Sequence, residues 1–150
     1  MQVKIKKLHK DAVVPTYGTS GAACFDLYAV SATKQSSISA YTHHQTMTCN
    51  TGLAFEIPEG YVMMVYSRSG HGFKDDTRLA NCVGVIDSDY RGEVVVKLTF
   101  DGIGSFPNIK EGQRIAQAMI VPVNQVSFDV VDELNETSRG AGGFGSTGTN

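Results

Sequence analysis

Short apolar, β-branched runs broken by Gly, Pro and Asp about every 8–12 residues dominate this chain, a rhythm that leaves no room for long helices. Tyr61–Tyr66 (YVMMVY) is a continuous apolar run short enough for a buried strand. Glu93–Phe100 (EVVVKLTF) and Arg114–Val123 (RIAQAMIVPV) are similar. Met1–Leu8 alternates through Val3 and Ile5, and Val126–Val131 alternates through Val126, Phe128 and Val130. Gly52–Ile57 is a further strand candidate, ended by the Pro58-Glu59-Gly60 turn. Pro15, Pro58, Pro107 and Pro122 all suit turns or edges. The expected class is therefore all-β, a sandwich or barrel, with at most one short helix at Thr77–Asn81.

At 150 residues the chain suits one domain, and a domain of this size buries about 68–70% of its unfolded surface. It can build a core without staples. Lys plus Arg is 13 against 15 for Asp plus Glu, a net charge of −2. No polybasic footprint for nucleic acid or an anionic membrane results. A small anionic ligand needs only local positive charge and stays open. Cys24, Cys49 and Cys82 are an odd set without CxxC spacing, so a reducing, cytoplasmic setting is expected, with no disulfide framework. The opening MQVKIKKLHK lacks the apolar stretch of a secretory signal, and no run approaches a membrane span.

Four of the five Arg lie in short Gly-containing segments: Ser67–Gly70, Tyr90–Gly92, Gly112–Arg114 and Arg139-Gly140. Bare backbone amides and a planar guanidinium can converge on oxyanions, although ordinary turns would have the same composition. The last twelve residues, RGAGGFGSTGTN, hold five of the 16 Gly. Such a segment has too little apolar content to fold alone. Arg139 and the lone aromatic Phe144 suit a phosphate chain and a base. The expected division is a domain over 1–138 and a flexible Gly-rich lid over 139–150.

The densest polar cluster is Gly84-Val85-Ile86-Asp87-Ser88-Asp89-Tyr90-Arg91-Gly92. A hairpin turn would account for Asp89, Arg91 and Gly92. Asp87, directly after Gly-Val-Ile, is not needed for the turn, and a carboxylate there could orient a water as general base.

Five segments, in order, resemble the motifs of the trimeric dUTP pyrophosphatases (dUTPases). They are Ala22–Leu27 (AACFDL), Ser67–Gly70 (SRSG), Asn81–Gly92, Gly112–Gln117 (GQRIAQ) and Arg139–Gly148. The resemblance runs from about Val3 to Gly148. It implies a jelly-roll-like β-barrel that forms a homotrimer, and hydrolysis of dUTP to dUMP and pyrophosphate with Mg²⁺ on the triphosphate. That reaction would keep uracil out of DNA and supply dUMP for dTMP synthesis.

By the same resemblance Asp87 orients the attacking water, and Tyr90 packs on the deoxyribose and excludes a 2′-hydroxyl. Asn81 and the backbone to Gly84 read the uracil edge. Arg68, Ser69, Gly70 and Gln117 face the phosphates, with Arg68 and Arg114 open to a second reading as ion-paired scaffolding. Asp26 either positions a water on the metal or is a buried structural carboxylate. In the tail, Arg139 pairs the γ-phosphate, Phe144 stacks on uracil, and Gly145, Ser146 and Thr147 close on the phosphates. Each site would join the Asn81–Gly92 segment of one subunit, the Ser67–Gly70 segment of a second and the tail of a third.

The chain departs from the family's pattern at Cys24 (usually Gly), Ser67 (usually Pro), His71-Gly72 (usually Leu-Ala) and Gln113 (more often acidic). His9, His43, His44 and His71 read as surface or loop residues. Three rival readings follow from the same residues. A dCTP deaminase would need Glu93, the only Glu near the cluster, as acid/base. A nucleotide-gated regulatory module would use the same pocket. A plain β-sandwich would leave the tail without a role.

Overall fold

Apolar side chains at alternate positions of short strands meet between two sheets, and nearly every strand contributes to that one interior. The computed structural model describes residues 1–38, 43–144 and 146. Its strands are β1 (Lys4–Lys7), β2 (Phe25–Tyr28), β3 (Ser31–Ile38), β4 (His43–Asn50), β5 (Leu53–Glu56), β6 (Tyr61–Tyr66), β7 (Thr77–Leu79), β8 (Val83–Ile86), β9 (Val95–Phe100) and β10 (Arg114–Pro122). A helix, α1 (Ser69–Lys74), lies between β6 and β7. One sheet has the order β2-β10-β6-β8, the other β3-β4-β9-β7, and β1 pairs with β5. All pairings are antiparallel. The fold is all-β, as the turn spacing predicts, and jelly-roll-like, as the resemblance implies.

Leu27, Leu53, Met63, Leu98 and Ile115 are buried at the sheet interface, each contributing about 1.5–3 kcal/mol by leaving water. The central strand β10 carries Ala116 and Ala118 there, small side chains that let the opposing sheet approach. A register shift between Arg114 and Ala116 interrupts the β10–β2 pairing. Beyond it, Gln117 lies opposite Asp26 on one side and Tyr66 on the other. That cross-strand row underlies half of the site described below.

Four expectations change. The helix expected at Thr77–Asn81 is a strand over Thr77–Leu79, because Thr77 and Leu79 are buried on one face and pair with β9. The helix forms instead over Ser69–Lys74, an exposed turn with two Gly and no buried residue. Its helicity comes from tertiary tethers rather than propensity. Val126–Val131 alternates but makes no strand: its apolar side chains are exposed and no partner strand lies beside it. The segment 87–92 is not a turn within one sheet, since β8 pairs with β6 whereas β9 pairs with β4 and β7. Strands β3 and β4, rich in Ser, Thr, Gln and His, carried no apolar signal at all. They are held by the ladder and by Met47 and Cys49 on one face.

Candidate active site

Because β8 and β9 belong to different sheets, a crevice opens between them. One part, about 170 Å³, is lined by Asn81, Gly84 and Lys97 with Val65 and Leu79 at its base. The other, about 240 Å³, is lined by Asp87, Tyr90 and Glu93. Val85, Ile86, Val94 and Val95 line both. Asn81 and Gly84 thus line one part of the crevice and Asp87 and Tyr90 the adjoining part.

Each is placed by local backbone chemistry. Cys82 takes a left-handed φ of 63°, and the Val83 N–H donates to the Asn81 carbonyl at 2.7 Å, so the chain turns sharply into β8. Gly84 is buried, and a Cβ there would stand 3.1 Å from Val65 Cβ and 3.8 Å from Asn81 Nδ2. Asp87 leaves the end of β8 exposed, and among the described residues nothing donates to its carboxylate. The Tyr90 hydroxyl donates to the Glu93 carbonyl at 3.0 Å, and its ring covers Gly92 so closely that a Cβ at Gly92 would overlap it. Tyr90 is thereby fixed as one wall. Glu93 faces elsewhere: its carboxylate accepts from Asn50 Nδ2 at 2.9 Å and from the Gly52 N–H at 2.7 Å. It is a structural clamp, which removes the acid/base group that a deaminase reading requires.

A second group gathers at the other end of β8. Asp26, with a side chain 14% exposed, accepts from Arg68 Nε at 3.0 Å and from Arg114 Nη1 at 3.1 Å. Both arginines are ion-paired with Asp26 in this chain. Gln117 Nε2 donates to the Ser67 carbonyl at 3.0 Å, so its amide braces the turn before α1. The Leu79 N–H donates to Ser67 Oγ at 2.9 Å. Sequence reasoning treated Ser67 only as a departure; the missed signal was a hydroxyl next to a strand that would otherwise leave an edge amide unpaired. Ser69 is exposed and Gly70 partly so, and no side chain caps the first turn of α1.

Tyr66 pairs with Val83 and Met63 with Ile86. The turn at Ser67–Gly70 and Asp87 therefore lie at opposite ends of β8, about 13 Å apart along the strand. The described tail residues, 139–144 and 146, reach neither. Residues 122–141 are exposed throughout, Arg139 Nε donates to its own Gly142 carbonyl at 2.8 Å, and Phe144 is fully exposed. Ser146 belongs to the same tight turn, its N–H donating to Gly143. Gly145 and Thr147 lie outside the described residues.

Among the described residues no group of three or more His, Cys, Asp or Glu side chains is placed to hold a metal ion. The donors present fit a hard cation carried mainly by phosphate oxygens. Asp87 offers a free carboxylate, while both Asp26 oxygens are engaged by arginines and leave only their outer lone pairs for a bound water. The Cys24 thiol is pushed up by burial and by the neighbouring Asp26 charge. No helix among the described residues is long and apolar enough to cross a membrane.

The dUTPase family model matches residues 10–148. The deoxyuridine 5′-triphosphate nucleotidohydrolase of Nautilia profundicola is 45% identical over 148 residues, 99% of each chain. That of Helicobacter hepaticus is 45% identical, covering 99% of this chain and 89% of the relative. Among solved structures, the dUTPase of Staphylococcus bacteriophage 80alpha, with dUpNHpp, superposes with a TM-score of 0.82 at 26% identity over 98% of each chain. With the five segments in order and the crevice between β8 and β9 in place, the chain belongs to the dUTPase family.

Proposed function

We propose that this chain hydrolyses dUTP to dUMP and pyrophosphate, by in-line attack of a water on the α-phosphorus. The observation that carries the reading is Asp87: an exposed carboxylate without a partner among the described residues, lining a crevice together with Tyr90. Asp87 takes the proton of the attacking water, and the pyrophosphate oxygen leaves on the opposite side. Asn81 and the tight backbone to Gly84 fit the uracil edge, where a site built for those hydrogen bonds rejects an exchanged amino group. Tyr90, pinned to the Glu93 carbonyl, leaves no space for a 2′-hydroxyl. Mg²⁺, when bound to the triphosphate, neutralises charge on the leaving pyrophosphate. Removal of dUTP would keep uracil out of DNA and supply dUMP for dTMP synthesis.

The active form is a homotrimer with shared sites. Supporting this, the Ser69–Gly70 turn and Asp87 lie apart in one chain, and the described tail residues touch neither. Val126, Phe128 and Val130 form an exposed apolar stripe on the arm that leads to the tail. In the assembly, Ser69 and Gly70 of a second subunit meet the phosphates, braced from behind by Arg68 and Gln117. Residues 139–150 of a third close as a lid, with Arg139 on the γ-phosphate, Phe144 over uracil, and Gly145, Ser146 and Thr147 along the phosphates. Asp26 steadies this end through its two arginines and through a water on the metal. Three unpaired thiols suit a reducing, cytoplasmic setting.

Pyrophosphate release measured with dUTP, dCTP, dTTP and UTP, with and without Mg²⁺, tests the reading. Release confined to dUTP, dependent on Mg²⁺ and abolished in Asp87→Asn, is expected. Ammonia release from dCTP, or equal turnover of UTP, would overturn it.

A further inference from the structure

His71 is not a loop residue in solvent: its side chain is 16% exposed and bridges two elements. Nε2 lies 2.9 Å from the carbonyl oxygen of Arg114, the first residue of β10. Nδ1 lies 3.3 Å from Oδ2 of Asp75, at the C-terminal end of its own helix. Both ring nitrogens therefore face acceptors. A neutral imidazole has one N–H and one lone pair, so it satisfies one contact and sets its lone pair against the other. Only the ring protonated on both nitrogens makes the two bonds together, and the one to Asp75 is then charge-assisted.

The helix that His71 secures has little else to hold it. It is six residues long, contains two Gly, buries no side chain and has no side-chain cap. The N–H groups of His71 and Gly72 both donate to the Arg68 carbonyl, at 3.1 and 3.0 Å. His71 therefore sits directly on the turn that presents Arg68, Ser69 and Gly70. Asp75 is itself oriented, since Thr77 Oγ1 donates to its carbonyl at 2.8 Å. The other charged groups on the adjoining elements are engaged elsewhere: Arg114 of β10 with Asp26 of β2, and Arg78 of β7 with Asp101. Asp75 is the charged partner the structure gives the ring. A leucine at this position would fill the space without either bond.

We propose that His71 is a positioning residue, a proton-dependent latch that ties the Arg68–Gly70 turn to β10 and so holds the groups that meet the triphosphate. The effect on substrate rests on the functional reading above; the latch itself does not. Without that proton the ring can satisfy only one of its two acceptors, Asp75 or the Arg114 carbonyl, and the turn is held less tightly.

The test compares wild type with His71→Leu and His71→Gln. Gln keeps an N–H donor for the Arg114 carbonyl but cannot gain a proton. Without nucleotide, hydrogen-exchange protection of the His71 and Gly72 amides is followed across about pH 5 to 8. Protection in wild type should fall about three- to tenfold as pH rises, in keeping with loss of one hydrogen bond of ordinary net strength. It should be flat in His71→Gln. With dUTP, His71→Leu should raise KM by about the same factor at low pH while kcat changes less than about twofold.

Identical pH dependence of protection in wild type and His71→Gln overturns the latch. An unchanged KM in a folded His71→Leu overturns its effect on substrate while dUTP hydrolysis stands. If His71→Leu does not fold, the His71→Gln comparison decides alone. If wild type releases no pyrophosphate from dUTP, the functional reading fails and the protection measurement still settles the latch.

Discussion

Arg68 Nε donates to Oδ1 of Asp26 at 3.0 Å, across a sequence separation of 42 residues. This bond ties the turn after β6 to β2, two strands away in the same sheet, and the Asp26 side chain is shielded enough for it to matter. Asp26→Asn should lower unfolding free energy by about 2–3 kcal/mol, because it leaves Arg68 without its charged partner. Arg114→Ala removes the more exposed arm of the cluster and should cost less than about 1 kcal/mol. Urea denaturation of the two variants checks the order; equal losses would mean that Arg114, not Arg68, is the main partner.

Gly92 should tolerate no side chain. A Cβ there would displace the Tyr90 ring, so Gly92→Ala is expected to cost about 1–3 kcal/mol of stability as an overpacked contact. If Tyr90 guards against the 2′-hydroxyl, the same variant should narrow the ratio of kcat/KM for dUTP over UTP. Competitive turnover of the two nucleotides measures this. A destabilised variant with an unaltered ratio would take Tyr90 out of sugar selection.

Mixing variants tests the shared site. Asp87→Asn and a chain cut after Ser138 should each be inactive alone. Co-refolded, they should regain activity, because some sites then combine an intact Asp87 with an intact tail from another chain. Steady-state pyrophosphate release from the mixture is the readout. Continued inactivity of a mixture shown to contain mixed oligomers would count against tails acting between subunits.

The thiols should separate by burial. Cys49 lies fully buried and its thiol is pushed up to about 11 by burial, whereas Cys82 is exposed. A thiol reagent at neutral pH should label Cys82 fast and Cys49 only on unfolding. The raised value in the fold also has a sign in stability: the contribution is fully present below the ordinary value of 9.0 and is lost as pH climbs toward about 11. Cys49→Ala should flatten that alkaline limb; an unchanged limb would assign it to other groups.

The all-β class, the strand at Tyr61–Tyr66 and the run into β10 were legible because their apolar residues are adjacent in sequence. Asn81, Gly84, Asp87 and Tyr90 fall within ten residues of each other, so their nearness in space follows from the sequence alone. The polar strands β3 and β4 were not, since their stability comes from ladders to partners and from one buried face. Val126–Val131 erred in the opposite direction: alternation states which face seeks burial, not whether a partner strand is there.

Short-range order therefore settled the fold class and the composition of the tail, because each depends on residues close in the chain. Only the folded chain decided that Asp26 holds two arginines, that Glu93 clamps Asn50 and Gly52, and that His71 spans from α1 to β10. Those contacts join residues 41 to 88 positions apart. Loop closure costs chain entropy, and that cost is met by burial across the whole sheet interface rather than by anything written near either partner.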